Sequence, residues 1–247
     1  MPRPRRFQVD LLAAAAAGAQ IPLPTDEARH ARVLRLKAGA PVELFDAQGN
    51  AWRAQLAADA ASAILIGPVS AAPAEPVHRR LILATAWPKG KRAAFLVEKC
   101  TELGVGEIVP LVCARSVVVK GAGSAGVARL RRIATEAAKQ SGRFDVPEIR
   151  APQSLDDFVR GVSGRLLLVL LDPKADQSLA DVLRQEGAEP EQTRLVAILV
   201  GPEGGFTDAE IACAVAHGAV RARLAENVLR VETAAMAACA VWAQSIG

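Results

Sequence analysis

Five short, nearly continuous apolar runs alternate with helical patterns from residue 81 onwards, and this alternation constrains the fold more than any other feature. Such runs are typical of fully buried strands, and they cover residues 81–86, 108–113, 166–171, 195–200 and 220–224. Apolar residues recur at helical spacing at 92–103, 127–141, 179–185, 208–217 and 233–245. Apolar strands flanked by helices predict an α/β fold with a parallel sheet that is covered on both faces.

The N-terminal part of the chain has a different pattern, in which short strands are separated by turn sequences. These strands are predicted at residues 41–45, 51–56 and 63–69. A helix is predicted within residues 25–36, and the Pro-rich, aperiodic segment 70–76 has the composition of a linker. We therefore predict a small, mostly β domain over residues 1–72, in the form of a compact barrel, and an α/β domain over residues 73–247.

Composition argues against a membrane protein and against a metalloprotein. The longest apolar runs are far shorter than the ~20 residues that a membrane-spanning helix needs. An alanine-rich stretch follows basic residues near the N-terminus, but it is too short and too poor in larger apolar residues for a signal peptide. The four cysteines and three histidines are scattered without metal-ligand spacing. We therefore expect a cytoplasmic protein with reduced thiols, no membrane association and no metal.

Positive charge is concentrated in the middle of the chain. Residues 81–143 contain eleven Lys or Arg and four Asp or Glu, whereas residues 144–247 contain nine and fifteen. This asymmetry favours a basic face for a polyanion such as nucleic acid, although a solvated helix surface would account for it equally well. The helical segment 127–143 illustrates both alternatives, because its cations recur on one face as Arg129, Arg132, Lys139 and Arg143.

The strongest local motif is a buried strand that leads into a glycine-rich turn. The strand at 195–200 is followed by GPEGGF at 201–206, and Thr207 with Glu210 is predicted to form a capping box on the next helix. Glycines in such a loop permit positive φ angles or close approach of a ligand, and open α/β sheets bind ligands at strand ends. A purely structural turn would explain the glycines but not Glu203 among them.

Four further motifs lie at the ends of predicted strands or helices. They are WPKGKR at 87–92, EKCTELGV at 98–105, EAAKQSGRF at 136–144 and LAENVLRVETA at 224–234. Gly104 is predicted to terminate the helix at 92–103. In the last motif, Glu232 or Thr233 is predicted to cap the final helix, and Arg230 lies just outside it.

Five motifs in a fixed order carry a family resemblance. They are PKG at 88–90, K-x-TELGV at 99–105, EAA-x-QS-x-R at 136–143, GPEGGF at 201–206 and LR-x-ETA at 229–234. Their combination resembles the bacterial small-subunit (16S) ribosomal RNA uridine-N3 methyltransferases of the SPOUT class. RF at 6–7 and H-x-x-VLRL-x-x-G at 30–39 extend the resemblance to the first domain, so that it covers nearly the whole chain.

The resemblance implies both a fold and an activity. The implied fold is a SPOUT-type parallel sheet with a C-terminal trefoil knot, preceded by a PUA-like RNA-binding β-barrel, in a homodimer. The implied reaction is S-adenosylmethionine-dependent N3-methylation of a specific uridine in small-subunit ribosomal RNA, on the assembled subunit. The cofactor would lie in the loops of the knot, which correspond here to Leu170, Leu171, Val200, Gly201, Pro202, Glu203, Gly204, Gly205, Leu224, Asn227, Val228 and Leu229.

Three residues are our candidates for catalysis. Uridine N3 carries a proton at neutral pH, so an enzyme must help to remove it and stabilise the resulting anion. Arg230 is the candidate for a hydrogen bond to the uracil carbonyl that gains negative charge. Glu232 or Glu203 could accept the proton, or could orient Arg230 and cap a helix. We favour the structural role for Glu232 and leave the role of Glu203 open.

A second set of residues is predicted to contact RNA phosphates or the target nucleotide. Its members are Arg6, Lys89, Arg92, Lys99, Gln140 and Arg143. Alternatively, members of this set cap helices or form ion pairs within them, for example with Glu98 or Glu102.

Two other classes of function remain open. A non-catalytic RNA-binding or assembly factor could keep the same fold, although the intact GPEGGF loop at 201–206 opposes this alternative. A nucleotide-phosphate binder could also use a glycine-rich turn, but the Lys and Ser/Thr of a phosphate-binding loop are absent from it. The sequence does not identify the target uridine.

Overall fold

A computed structural model describes residues 4–10, 12, 15–46, 49–69, 81–116, 124–162, 164, 166–186 and 195–245. The chain divides into two compact units, Met1–Ala74 with Ala138–Val146, and Glu75–Ala137 with Pro147–Gly247. The first unit therefore takes in residues 138–146, which the predicted boundary assigns to the second domain. The predicted linker at 70–76 lies outside the described residues.

The N-terminal unit is built on a five-stranded sheet. Its elements are β1 (Arg5–Gln8), β2 (Gln20–Pro22), α1 (Thr25–Val33), β3 (Pro41–Phe45), β4 (Ala51–Leu56) and β5 (Ser62–Pro68). The strand order is β1-β3-β4-β5-β2, in which β1 and β3 are parallel and the other pairs are antiparallel. Strands β3 and β4 have the predicted bounds, and the short strands β1 and β2 were not predicted.

Alternation along these strands builds the core of the N-terminal unit. Every second side chain of β3 and β4 points inwards, and α1 adds small buried residues that let the helix lie close to the sheet. The largest fully buried members of this core are Phe7, Leu12, Leu44, Leu56 and Leu65.

The C-terminal unit contains a parallel sheet of seven strands. They are β6 (Leu81–Ala86), β7 (Glu107–Val112), β8 (Glu148–Ile149), β9 (Gln153–Ser154), β10 (Leu167–Leu171), β11 (Val196–Val200) and β12 (Val220–Ala222). The order is β12-β10-β11-β6-β7-β8, with β9 also paired to β7. All five predicted strands of this domain are present to within two residues, whereas the two-residue strands β8 and β9 were not predicted.

Helices cover this sheet. They are α2 (Lys91–Glu102), α3 (Ser124–Ser141), α4 (Leu155–Val162), α5 (Leu179–Glu186), α6 (Asp208–Ala216) and α7 (Val231–Ser245). The central strand β6 is buried along its whole length, which confirms a sheet covered on both faces. Helix α7 packs against α2, α5, β6 and β11. Gly104 follows the end of α2 with a φ of +93°, as predicted for a terminating glycine.

Two features are absent from the described ranges. No helix within them is both long enough and apolar enough to cross a bilayer. Over the same ranges, no group of three or more His, Cys, Asp or Glu side chains is arranged to hold a metal ion.

Candidate active site

The carboxyl ends of three neighbouring strands define one edge of the C-terminal sheet. Strands β12, β10 and β11 are adjacent and parallel, so the loops that follow them lie side by side. Leu170 is paired with Leu199 in β11, and Leu171 with Ala222 in β12. The three loops in which the cofactor residues were predicted are therefore brought together, although they are far apart in the sequence.

Burial differs among the predicted cofactor residues. Leu170 and Val200 are buried at the strand ends, whereas Leu224 and Leu229 are half-buried in the loop after β12. Asn227 and Val228 of the same loop are exposed, and Val228 has an exposed fraction of 76%. The edge thus offers an apolar floor with a loop of accessible residues beside it.

Two of the three glycines of the GPEGGF loop, Gly201 and Gly205, have a reason within the protein itself. A Cβ atom at Gly201 would lie 3.0 Å from the ring of Phe206, which is 7% exposed. Gly205 has a φ of +71°, and its N–H donates to the carbonyl of Pro202 at 2.8 Å. Only glycine meets both demands without strain, so the loop closes tightly over its own phenylalanine.

The loop is joined to the next helix by the predicted capping box. The Thr207 hydroxyl accepts the N–H of Glu210 at 3.2 Å, and the Glu210 carboxylate accepts the N–H of Thr207 at 2.7 Å. This arrangement satisfies backbone donors at the start of α6 and fixes the direction in which the chain leaves the loop.

Residues of the segment that follows β7 also form hydrogen bonds with the glycine-rich loop and with the first turn of α6. The sequence did not predict these contacts. The second carboxylate oxygen of Glu210 accepts the N–H of Ala114 at 2.7 Å. Arg115 donates from Nη1 to the carbonyl of Gly204 at 2.7 Å, and its side-chain stem lies against Gly204. No motif surrounds Arg115 in the sequence, and only the order of strands in the sheet brings the two loops together.

Arg92 lies between the two glutamates predicted to be catalytic. Its Nη1 atom is 3.9 Å from Oε1 of Glu203 and 3.8 Å from Oε1 of Glu232. The side chain of Glu232 is 9% exposed, whereas those of Arg92 and Glu203 are about half exposed. Arg92, which was predicted as an RNA contact, lies at the start of α2 between the glycine-rich loop and the start of α7.

The buried carboxylate of Glu232 keeps one acceptor unused. Its Oε2 atom is buried and has no hydrogen-bond partner among the described residues. Burial of an unpaired carboxylate oxygen is costly, so such an atom marks a position at which a ligand donor would be favourable.

Arg230 lies immediately before α7. Its carbonyl accepts the N–H of Ala234 at 2.8 Å, which makes Arg230 the residue that precedes the first helical turn. The helix begins at Val231, so neither Glu232 nor Thr233 is its N-cap, contrary to the prediction. The Arg230 side chain is exposed and has no ion-pair partner within the described part of the chain.

A second unpredicted group stabilises the loop after β10. Asp172 is 8% exposed, and its Oδ2 atom accepts from Nη2 of Arg221 at 2.6 Å and from Nε at 3.0 Å. Its Oδ1 atom accepts the N–H of Lys174 at 2.9 Å. Asp172 therefore ties its own loop to the neighbouring strand β12, which only the sheet order could reveal.

The predicted RNA contacts in the N-terminal unit are mostly engaged within the protein. The side chain of Arg6 is 12% exposed, forms an ion pair with Glu43 at 2.7 Å and lies 4.2 Å from the ring centroid of Phe144. The side chain of Arg143 is 14% exposed and donates twice to Asp145. Gln140 is exposed.

Of the two remaining predicted RNA contacts, both in the C-terminal unit, one is exposed and the other forms ion pairs within its helix. Lys89 is exposed in the turn after β6, three residues before Arg92. Lys99 forms ion pairs with both Glu102 and Glu98 at 2.8 Å, which raise the pKa of its ammonium group. Lys99 therefore shows the alternative to RNA contact, in which its ammonium group pairs with carboxylates of the same helix.

An open parallel α/β sheet with three converging loops defines a protein that binds a ligand at strand ends. The sequence profile of the RNA methyltransferase domain matches residues 75–243, and that of the RNA methyltransferase PUA domain matches residues 23–66. The chain therefore belongs to the RNA methyltransferase family. The first profile spans the whole sheet described above, and the second spans most of the N-terminal unit.

Individual relatives agree with this assignment. Ribosomal RNA small subunit methyltransferase E of Synechocystis sp. is 35% identical over 211 residues, which are 85% of this chain and 67% of the relative. The protein of the same name from Mycobacterium tuberculosis is 28% identical over 94% of this chain and 88% of its own length.

Solved structures have the same fold over almost the whole chain. Ribosomal RNA small subunit methyltransferase E from Neisseria gonorrhoeae, bound to S-adenosyl methionine, has a TM-score of 0.83 at 27% identity and covers 96% of both chains. A methyltransferase from Legionella pneumophila, in complex with SAM, has a TM-score of 0.82 at 30% identity and covers 98% of this chain and 97% of its own.

Proposed function

We propose that this protein is an S-adenosylmethionine-dependent methyltransferase that modifies N3 of a uridine in small-subunit ribosomal RNA. One observation carries the proposal: the loops after β10, β11 and β12 converge on one sheet edge, where the exposed Arg230 and the buried Glu232 flank the start of α7. Family membership supports methyl transfer to RNA, and the names and bound ligand of the relatives support small-subunit ribosomal RNA as the substrate and S-adenosylmethionine as the cofactor.

The residues at this edge fit the proposed cofactor. The floor formed by Leu170 and Val200 suits an adenine ring, and half-buried Leu224 and Leu229 can cover it. Adenine needs no charged partner, so backbone groups of the surrounding loops can supply its hydrogen bonds. When bound, the cofactor supplies an electrophilic methyl group on a sulfonium sulfur.

The protein's own residues then have separate tasks. N3 of uridine must lose its proton, and the uracil carbonyl oxygens gain negative charge as it does so. Arg230 donates hydrogen bonds to one of these oxygens, and its position at the start of a helix adds a favourable dipole. The unpartnered Oε2 of Glu232 is the acceptor that is best placed to receive or orient the N3–H. Glu203 is more exposed than Glu232, and it assists by forming an ion pair with Arg92.

The substrate is expected to be bound by phosphate contacts. Lys89 is exposed near the same sheet edge, and the middle of the chain is rich in cations, as the charge distribution shows. Aromatic residues make up only 4% of the chain, so recognition depends on RNA shape and backbone rather than on base stacking. The assembled small subunit in the cytoplasm is the proposed substrate, since it presents a folded RNA surface.

The proposal includes a trefoil knot and a homodimer. The chain runs from β12 at the sheet edge to α7, which packs on β6 and β11 in the middle of the sheet. This return past the loops after β10 and β11 supports a knotted path. The homodimer is proposed on the family resemblance alone. Light scattering at two concentrations tests the dimer.

A non-catalytic RNA-binding factor is the second candidate, and one experiment separates the two. Small subunits from a strain that lacks the enzyme are incubated with labelled S-adenosylmethionine, and the nucleosides are analysed. Labelled 3-methyluridine is expected with the wild type, and Arg230→Ala should reduce its formation by roughly 10²–10³-fold while cofactor binding persists. Failure of both transfer and cofactor binding would favour the non-catalytic factor.

A further inference from the structure

The peptide unit between Gly204 and Gly205 is held at both of its ends. Its N–H group, on Gly205, donates to the carbonyl of Pro202 at 2.8 Å. Its carbonyl oxygen, on Gly204, accepts from Nη1 of Arg115 at 2.7 Å. A peptide unit is planar, so two hydrogen bonds on its opposite sides determine its orientation. The turn at 202–205 therefore has one fixed backbone direction within the glycine-rich loop.

The turn has little rigidity of its own at this peptide unit. Both residues of the unit are glycines, and glycine adopts positive and negative φ angles about equally well. The unit could therefore rotate and exchange the directions of its N–H and its carbonyl, which would break the bond to Pro202. The φ of Gly205, +71°, is one of several values open to a glycine, and the hydrogen bond from Arg115 favours the observed orientation.

The segment that carries Arg115 is itself fixed. The N–H of Ser116 donates to the carbonyl of Cys113 at 2.9 Å, and the Ser116 hydroxyl accepts the N–H of Cys113 at 3.2 Å. Between these two residues, the N–H of Ala114 donates to the carboxylate of Glu210 at 2.7 Å. The side chain of Arg115 therefore starts from an anchored turn at the end of β7.

Stabilisation of the whole fold does not account for this contact. Arg115 is exposed, and within the described ranges it has no ion-pair partner and one hydrogen-bond acceptor, the uncharged carbonyl of Gly204. An arginine side chain loses much conformational freedom when it is held in one place, and a single exposed hydrogen bond offsets little more than that loss. The effect of Arg115 is therefore local, on the orientation of one peptide unit.

We infer that Arg115 is a positioning residue for the cofactor, because it keeps the peptide unit between Gly204 and Gly205 in the orientation in which the loop binds S-adenosylmethionine. The inference rests on the proposed function, which places the cofactor at this loop. Without Arg115, only a fraction of the free protein would have the loop in that orientation, and the apparent dissociation constant rises in inverse proportion to this fraction. The bound cofactor would then impose the orientation itself, so a saturating concentration should compensate for the loss.

The test compares the full-length variants Arg115→Gln and Arg115→Lys with the wild type. The first variant removes the positive charge and the long donor, and the second keeps a positive charge and a shorter donor. The control is Arg53→Gln, which makes the same change at an exposed position of β4 in the N-terminal unit. Calorimetric titration measures the affinity for S-adenosylmethionine, amide hydrogen exchange measures protection of the Gly205 N–H with and without it, and thermal unfolding measures stability. Methylation of small subunits at saturating cofactor gives kcat.

For Arg115→Gln we expect a roughly tenfold rise in Kd, as for a loop that is correctly oriented in about a tenth of the free molecules. Exchange of the Gly205 N–H should be faster in the free variant and slow again with bound cofactor, while kcat stays close to that of the wild type. Arg115→Lys should recover part of the affinity, and Arg53→Gln should match the wild type. Wild-type affinity and exchange in Arg115→Gln would overturn the inference and leave the proposed function intact, and so would a loss of binding that follows global unfolding of both Arg115 variants. Wild-type protein that does not bind S-adenosylmethionine would overturn the proposed function as well.

Discussion

The guanidinium of Arg92, at the start of α2, lies 3.8 Å from the carboxylate of Glu232, at the start of α7. The two residues are 140 positions apart in the sequence, and the packing of α2 on α7 brings them together. Arg92 is half exposed and Glu232 is buried, so the pair connects the solvent-facing side of the site with its interior. We therefore propose that Arg92 acts through Glu232 as a positioning residue.

Replacement of Arg92 should affect turnover more than RNA binding. In Arg92→Gln the buried carboxylate loses its cationic neighbour, and we expect kcat to fall roughly fivefold, because a partly exposed ion pair is worth up to about 1 kcal/mol. Lys89→Gln is the matched control, since Lys89 is exposed and should affect mainly the KM for RNA. Steady-state methylation kinetics measure both parameters. If Arg92→Gln raised KM for RNA and left kcat unchanged, Arg92 would be assigned to RNA contact instead.

Gly201→Ala should disturb the glycine-rich loop through Phe206. The added methyl group would lie 3.0 Å from the phenyl ring, so either the ring or the loop must move. We expect destabilisation by about 1–3 kcal/mol and weaker cofactor binding. Gly161→Ala in α4 is the control: no atom lies within 4 Å of its added Cβ, and alanine favours the helix by about 1 kcal/mol. Thermal unfolding and calorimetric titration of S-adenosylmethionine distinguish the two variants.

Cys213 should become more reactive when Asp156 loses its charge. The thiol donates to Oδ1 of Asp156 at 3.0 Å, and this hydrogen bond, together with desolvation, raises the pKa of Cys213. A raised pKa means less thiolate at a given pH, so alkylation is slow at pH 8 and accelerates only at higher pH. Asp156→Asn should lower the pKa and shift the rate profile to lower pH.

Mass spectrometry of alkylated peptides measures this profile for each thiol separately. Cys113 is an internal reference, because burial raises its pKa to about 11 and Asp156 is not among the causes. Its alkylation should remain slow in both proteins. An unchanged Cys213 profile in Asp156→Asn would show that the hydrogen bond does not control the thiol.

The ion pair of Lys139 with Glu27 should be essential for the N-terminal unit. Both side chains are about nine-tenths buried, so Lys139→Met leaves the carboxylate buried without its cation. We expect a loss of about 3–5 kcal/mol, because breaking one half of a buried pair is far more costly than removing both. Urea denaturation measures the effect. The double variant Glu27→Gln/Lys139→Met should recover much of the stability; if it does not, packing rather than charge is responsible.

Local patterns in the sequence determined most of the secondary structure. Strands β3, β4 and β6 have the predicted bounds because alternation or continuous apolar character is a property of neighbouring residues. The capping box of Thr207 with Glu210 and the termination of α2 at Gly104 were predicted for the same reason. The short strands β1, β2, β8 and β9 were missed because their order depends on distant partners.

The roles of individual charged residues were decided only by the tertiary structure. Arg6 is buried because β1 pairs with β3 and sets Arg6 opposite Glu43, while Phe144 comes from a segment more than a hundred residues away. Arg92 and Arg115 reach the glycine-rich loop because of the order of strands in the sheet. Sequence patterns encode which face of an element is apolar, but the partner of a charge depends on which elements become neighbours, and the packing of the whole chain determines that.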